Sequence, residues 1–316
     1  MTLLLARRVL TLILTLLVVS VVVFAVMNVL PGDPALVVLG MDSTPEAQAA
    51  LRERFGLDRP VVERYLEWIL AALRGDFGRS YTFAVPVSEL IVERLPVTVP
   101  LALLATLLTV VVALALGVTA ALNHGRPGDW AVMTLSQFGV AVPAFWLAIL
   151  LVLVFAVTLR WLPPGGFPGW EDPVAALRAL ILPTVSLALV QSAILARVTR
   201  SSILEVMRLD YARTARAKGL SRRTTLIRHV LPNALIPIVT IVGLQFASVV
   251  TGAIVIENVF YLPGLGRLIF QSITNRDLFT VQALVMFFAV AVVVANFLVD
   301  VAYILADPRL RKGAAE

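Results

Sequence analysis

Residues 97–122 read VTVPLALLATLLTVVVALALGVTAAL, 26 residues without a single ionisable side chain. An α-helix needs ~20 predominantly apolar residues to cross a bilayer, so this stretch qualifies as a span by itself. Five further stretches read the same way: Val9–Leu30, Ala131–Val157, Leu180–Ala196, Ala234–Ile256, and Val281–Ala306, the last interrupted only by Asp300. Arg7 and Arg8 before the first stretch suggest a signal peptide. The apolar run is too long for one, and no Ala-x-Ala site closes it before Leu30, so it reads as a retained helix.

Composition agrees. Of 316 residues, 59% are hydrophobic and 15% charged, against ~45–50% and ~25% in soluble domains. Mean hydropathy is +0.93. An ordinary soluble enzyme, a disordered chain and a disulfide scaffold are all excluded. With no cysteine and two histidines, His124 and His229, thiolate metal sites and histidine cages are excluded too. The net charge of +6 points to membrane topology rather than nucleic acid.

Six spans put both termini on one side. The N-terminal segment, the 123–130 and 197–233 loops and the tail after Asp307 carry 15 Lys and Arg. The 158–179 and 257–280 loops carry four. Basic residues collect on the cytoplasmic side, so the sequence predicts cytoplasmic termini and an external 31–96 loop. That loop carries two predicted helices. Thr44-Pro45-Glu46 starts the first and Gly56 ends it. Asp58 and Pro60 open the second, with Val62, Tyr65, Leu66, Ile69, Leu70 and Leu73 on one face. Packing on the protein's own spans is the expectation for that face, and the membrane surface is the alternative.

Catalytic chemistry is missing. No phosphate-binding G-x-x-x-x-G-K-[ST] loop, dinucleotide fingerprint or zinc-protease motif occurs, so the chain reads as no enzyme by itself. Asp300 is an intramembrane acid and so a functional suspect, although its nearness to Asp307 favours a structural partner for an Arg. Gln137, Gln191, Gln245 and Asn296 lie in four different spans. They suit either the lining of a polar pathway or interhelical hydrogen bonds.

The 197–233 loop is the informative one. Residues 197–232 carry a net +7. Ile203, Leu204, Val206, Met207, Tyr211, Ala212 and Ala215 have amphipathic helical spacing over 202–218. Gly219 would stop that helix. Ser221 would cap a second helix over Arg222–Val230, ended by Leu231-Pro232. Small residues Ala212, Ala215 and Ala217 suit docking into a partner's groove.

This loop resembles the cytoplasmic E-A-A-x3-G-x9-I-x-L-P motif of ABC importer permeases. Ala215, Gly219, Leu231 and Pro232 fall at the matching positions, while Arg213, Thr214 and His229 depart from it. Asp210-Tyr211-Ala212-Arg213-Thr214-Ala215-Arg216-Ala217-Lys218-Gly219-Leu220 is similar to the dipeptide/oligopeptide-type version. Other matching stretches are Leu30-Pro31-Gly32-Asp33-Pro34, Gly75-Asp76-Phe77-Gly78, Arg94-Leu95-Pro96 and Glu257 through Arg267. Asp300, Tyr303, Asp307, Pro308 and Arg309 match the C-terminal end. All resemble that family's B-type permease in order along the chain.

The resemblance implies an all-α membrane protein with six transmembrane helices and a cytoplasmic coupling-helix loop, the type I importer permease fold. It implies residence in the inner membrane, a second related permease, two ATPase subunits and an external solute-binding protein. ATP and Mg would sit on the ATPase subunits, no cofactor on this chain, and no nucleic acid is involved. Peptides are the family's commonest cargo. An ion-coupled carrier predicts several intramembrane acids or broken helices; a non-transporting scaffold leaves six spans without a purpose.

Overall fold

The computed structural model describes residues 2–29, 44–54 and 58–306. The Leu30–Pro34 and Asp307–Arg309 motifs, Asp42 and the helix stop at Gly56 lie outside the described residues. Within them, backbone order is helical apart from one isolated bridge between Arg79 and Pro86. The helices are α1 (Thr2–Val29), α2 (Pro45–Arg54), α3 (Val61–Leu73), α4 (Val87–Leu122), α5 (Pro127–Ala141) and α6 (Ala144–Leu151). They continue with α7 (Pro173–Met207), α8 (Asp210–Ala217), α9 (Arg222–Thr225), α10 (Leu231–Val259), α11 (Leu265–Thr274) and α12 (Leu278–Ala306). Thr44 caps α2 as expected, accepting from Ala47 N at 3.3 Å.

Among the described residues, five helices are long and apolar enough to cross a membrane: those over 6–27, 87–122, 173–207, 237–259 and 278–299. The expected third span, 131–157, is not one rod. It breaks between α5 and α6, which meet at 101°. The cause is Pro143: Val142 before it is extended (φ −90°, ψ 122°), as the residue preceding a proline tends to be. Counted as one unit, the bent pair makes the sixth span. Beyond it the helix widens into a π turn over Val152–Thr158.

The extensive pairing of α4 with α7 forms the centre, with α10 packed on α7. Lipid is as apolar as leucine, so close packing rather than escape from water drives such contacts. Gly117 shows how: a Cβ there would overlap Thr199 and the Ala196 carbonyl. A larger cluster holds Val97, Leu101, Leu180, Leu187, Val249, Ile256 and Phe260. One proline inside α4 shows how a missing donor is replaced. Pro100 has no N–H to give the Pro96 carbonyl one turn back, and the Trp170 indole donates to that carbonyl at 2.7 Å instead.

Candidate functional site

Residues 197–233 do not fold as the sequence suggests. The expected helix over 202–218 is two helices, because α7 runs on to Met207 and the chain bends at Arg208-Leu209 before α8. Gly219, at φ +90°, ends α8 in a Schellman turn. Its N–H donates to Arg216 O at 3.0 Å and that of Leu220 to Ala215 O at 3.3 Å, the pairing that motif requires. Ser221 caps the next helix as expected, accepting from Thr224 N at 3.2 Å. Leu231-Pro232 end nothing: a π turn over Leu226–Val230 leads directly into α10. Proline is tolerated there because the first turn of a helix needs no N–H.

The face of α8 is also reversed from expectation. Ala212 and Ala215 are buried, and Ala212 packs with Ala121 of α4, Ile203 and Val206 of α7, and Val230 and Ala234 beside and in α10. Their small size lets α8 lie close to its own bundle rather than into a partner. What α8 and its flanks expose is Arg208, Leu209, Asp210, Tyr211, Arg213, Thr214, Arg216, Ala217, Lys218 and Leu220. This surface is cationic on balance, with apolar side chains and one acid, Asp210, and it is mounted on three spans. Ser202 Oγ reinforces the mounting, donating to Ala234 O at 3.0 Å.

A part-buried ion pair braces the same end of the bundle. Arg200 Nε lies 2.5 Å from Asp129 Oδ1, and its Nη2 lies 2.6 Å from Oδ2. Gly125 N donates to Oδ2 at 3.0 Å, and Arg200 Nη2 lies 3.0 Å from His124 Nδ1. The two-pronged contact fixes the turn between α4 and α5 to α7, two turns before the end of α7. Sequence reading missed it because Asp129 and Arg200 stand just outside the predicted spans, 71 residues apart.

The four amide side chains stand on four different helices, α5, α7, α10 and α12. Gln245 is buried and its Nε2 donates to the Gln191 carbonyl at 3.0 Å, joining α10 to α7. Gln137 is exposed and its Oε1 accepts from Arg197 at 3.1 Å. Asn296 is half-buried on α12. Asp300 is in α12, but its side chain is outside the described residues.

At the opposite end, a fully buried Glu257 holds α11. The N-cap residue there is Gly264, which has no side chain to satisfy the first amides. Other elements do so: Glu257 Oε2 accepts from Gly266 N at 2.7 Å and Arg267 N at 3.2 Å. Thr98 Oγ1 accepts from Leu265 N at 2.8 Å and donates to Glu257 Oε1 at 2.7 Å. A Cβ at 264 would overlap the Glu257 carboxylate. Nearby, Asp277 accepts from the Ser80 hydroxyl and from Thr82 N. Burial and the Asp277 carboxylate together hold the Tyr81 phenol above its usual range. Among the described residues no cluster of His, Asp and Glu could hold a metal ion.

Residues 113–312 match the family described as binding-protein-dependent transport system inner membrane component, and residues 1–102 match its N-terminal region. A peptide transport system permease protein of Brucella abortus (strain 2308) is 46% identical over 98% of this chain and 99% of its own length. The glutathione transport system permease protein GsiC of Salmonella typhi is 40% identical over 96% and 97%. The crystal structure of an amino acid ABC transporter superposes with a TM-score of 0.51 at 17% identity, covering 68% of this chain and 94% of that one. This last likeness concerns the fold alone.

Proposed function

The chain belongs to the binding-protein-dependent transport system inner membrane component family, and from that premise we propose that it imports peptide-type solutes with ATPase subunits docked on α8. It is a permease subunit of an ABC transport system. The peptide and glutathione names of its relatives support the solute class. The partners are a related but different second permease, two ATPases that carry ATP and Mg, and an external solute-binding protein. The chain itself contributes shape and coupling, not bond chemistry.

One observation carries the coupling role. The α8 surface is exposed while its underside sits on α4, α7 and α10. A push on Tyr211, Arg216 or Leu220 therefore moves three spans at once, since close-packed interiors transmit displacement. The loop-charge bias supports a cytoplasmic position for this surface.

Gly219 provides the test. A Cβ at that position meets nothing within 4 Å, so any cost is backbone strain rather than a clash. For Gly219→Val that strain is on the order of 1–2 kcal/mol. Six apolar spans still insert, but α8 is misdirected. Expression and insertion should stay near the parent's level, while ATPase subunits co-purify less and ATP-driven uptake falls. Gly219→Asn should be milder, because Asn accepts positive φ more readily. Parental assembly and uptake by the Val variant would reduce the loop to a topology determinant.

Orientation is tested separately. Cysteines at Asp42 and Ser221 can be labelled on intact cells, since the chain has none of its own. An impermeant thiol reagent should label position 42 and spare 221. The reverse pattern overturns the placement of α8 in the cytoplasm.

A further inference from the structure

Helix α3 has three sectors, not two. At ~100° per residue, Tyr65, Trp68 and Ala72 fall on one side and face the bundle. The Tyr65 hydroxyl lies 2.8 Å from Ser20 Oγ of α1. The Phe24 ring packs against both Tyr65 and Trp68, at 5.4 and 5.8 Å between centroids. The next sector is Val62, Leu66, Leu70 and Leu73, exposed by 69, 51, 51 and 77%. The third is charged: Glu63, Glu67 and Arg74, with Arg59 closing on Glu67 at 2.6 Å. The helix buries none of its residues.

We propose that α3 is an interfacial anchor, its Val62, Leu66, Leu70 and Leu73 face lying in the headgroup–acyl boundary of the leaflet where α1 ends. Depth supports this. The apolar helix of α1 ends at Met27, and Ser20 lies seven residues before it, ~10 Å at 1.5 Å per residue. The contacts at Ser20 and Phe24 thus hold α3 beside the last two turns of α1, and interfacial helices sink ~5–10 Å into that boundary. The exposed valines of α1, Val18, Val21, Val22 and Val26, support it too, since they lie along the same stretch. Lipid therefore reaches α1 at the depth where α3 is held, and the charged sector of α3 is left for water. Tyr65 and Trp68 sit where amphipathic rings concentrate in membrane proteins. This inference is independent of the transport reading.

The test uses nitroxide labels on single cysteines at Leu66, Leu70 or Glu63, in the full chain reconstituted into phosphatidylcholine vesicles. All three side chains are exposed, so substitution disturbs little packing. Collisions with oxygen, which partitions into lipid, are compared with collisions with a water-soluble nickel chelate. The oxygen-to-nickel ratio should be high at 66 and 70 and inverted at 63. Two results overturn the proposal. A ratio at 66 and 70 as low as at 63 places the face in water. Protection of 66 and 70 from both reagents means that a second copy of the chain covers it.

Discussion

Glu257→Ala is expected to loosen the end of the permease that carries α11 and to cost upward of about 3 kcal/mol. The reasoning is a count of stranded donors. The Gly266 and Arg267 amides and the Thr98 hydroxyl all donate to this carboxylate, and each buried donor left without an acceptor costs about 1–3 kcal/mol. Glu257→Gln should cost less, about 1–2 kcal/mol. Its oxygen can still serve the two amides, but its NH₂ would face Thr98, whose oxygen already accepts from Leu265 N. Gly264→Ala should approach the Glu257→Ala effect by another route, because its new Cβ would occupy the carboxylate's place. The measurement is thermal unfolding of the purified chain in detergent, with protease sensitivity at the 261–267 turn as the local readout. If Glu257→Ala unfolds with the parent and resists the protease equally, then α11 is held by its apolar seat, Leu265, Leu268 and Ile269, and the cap is dispensable.

The spans were legible because apolar length is a local property: residues 97–122 need no partner to declare themselves. The break in the third span was legible in principle, since Val142-Pro143 carries the restriction that bends it. Uninterrupted apolar composition on both sides masked it. The bend at Arg208-Leu209 has no such signal, being neither glycine nor proline. Without it, the spacing over 202–218 reads as one helix, and Ala212 and Ala215 read as a docking face although they pack on the protein's own bundle. Gly219 and Ser221 are legible, because a left-handed cap and an N-cap are made within five residues. Glu257 was noticed only within a motif. Its hydrogen-bond partner Thr98 is 159 residues away, and pairing over such a separation is set by the bundle rather than by local pattern. The same holds for Gln245, whose partner carbonyl is on another span.

Arg200→Ala is expected to be as damaging, and the brace it breaks should be costlier from one side than the other. Asp129 retains 6% of its side-chain exposure and Arg200 21%. Removing the arginine leaves a buried carboxylate with the Gly125 amide and His124 as its neighbours, and breaking a buried pair in this way costs about 3–5 kcal/mol. Asp129→Asn leaves an arginine that can turn toward water and an Asn oxygen that still accepts from Gly125, so a loss of about 1–3 kcal/mol is expected. Arg200→Met with Asp129→Leu should recover much of the loss, because a buried ion pair contributes little net stability over an apolar pair of similar volume. Unfolding in detergent of the parent, Arg200→Met, Asp129→Leu and the double variant closes a double-mutant cycle, and a coupling energy near zero would mean that the two side chains do not act as a pair. The recovered double variant then separates stability from transmission. It restores packing but not the two-pronged geometry that fixes the turn between α4 and α5 to α7. If α8 drives the bundle through that fixed geometry, the double variant should fold and bind ATPase subunits yet hydrolyse ATP with reduced uptake. Parental uptake per ATP would assign the brace to folding alone and leave the apolar seat of α8 as the sole route of coupling.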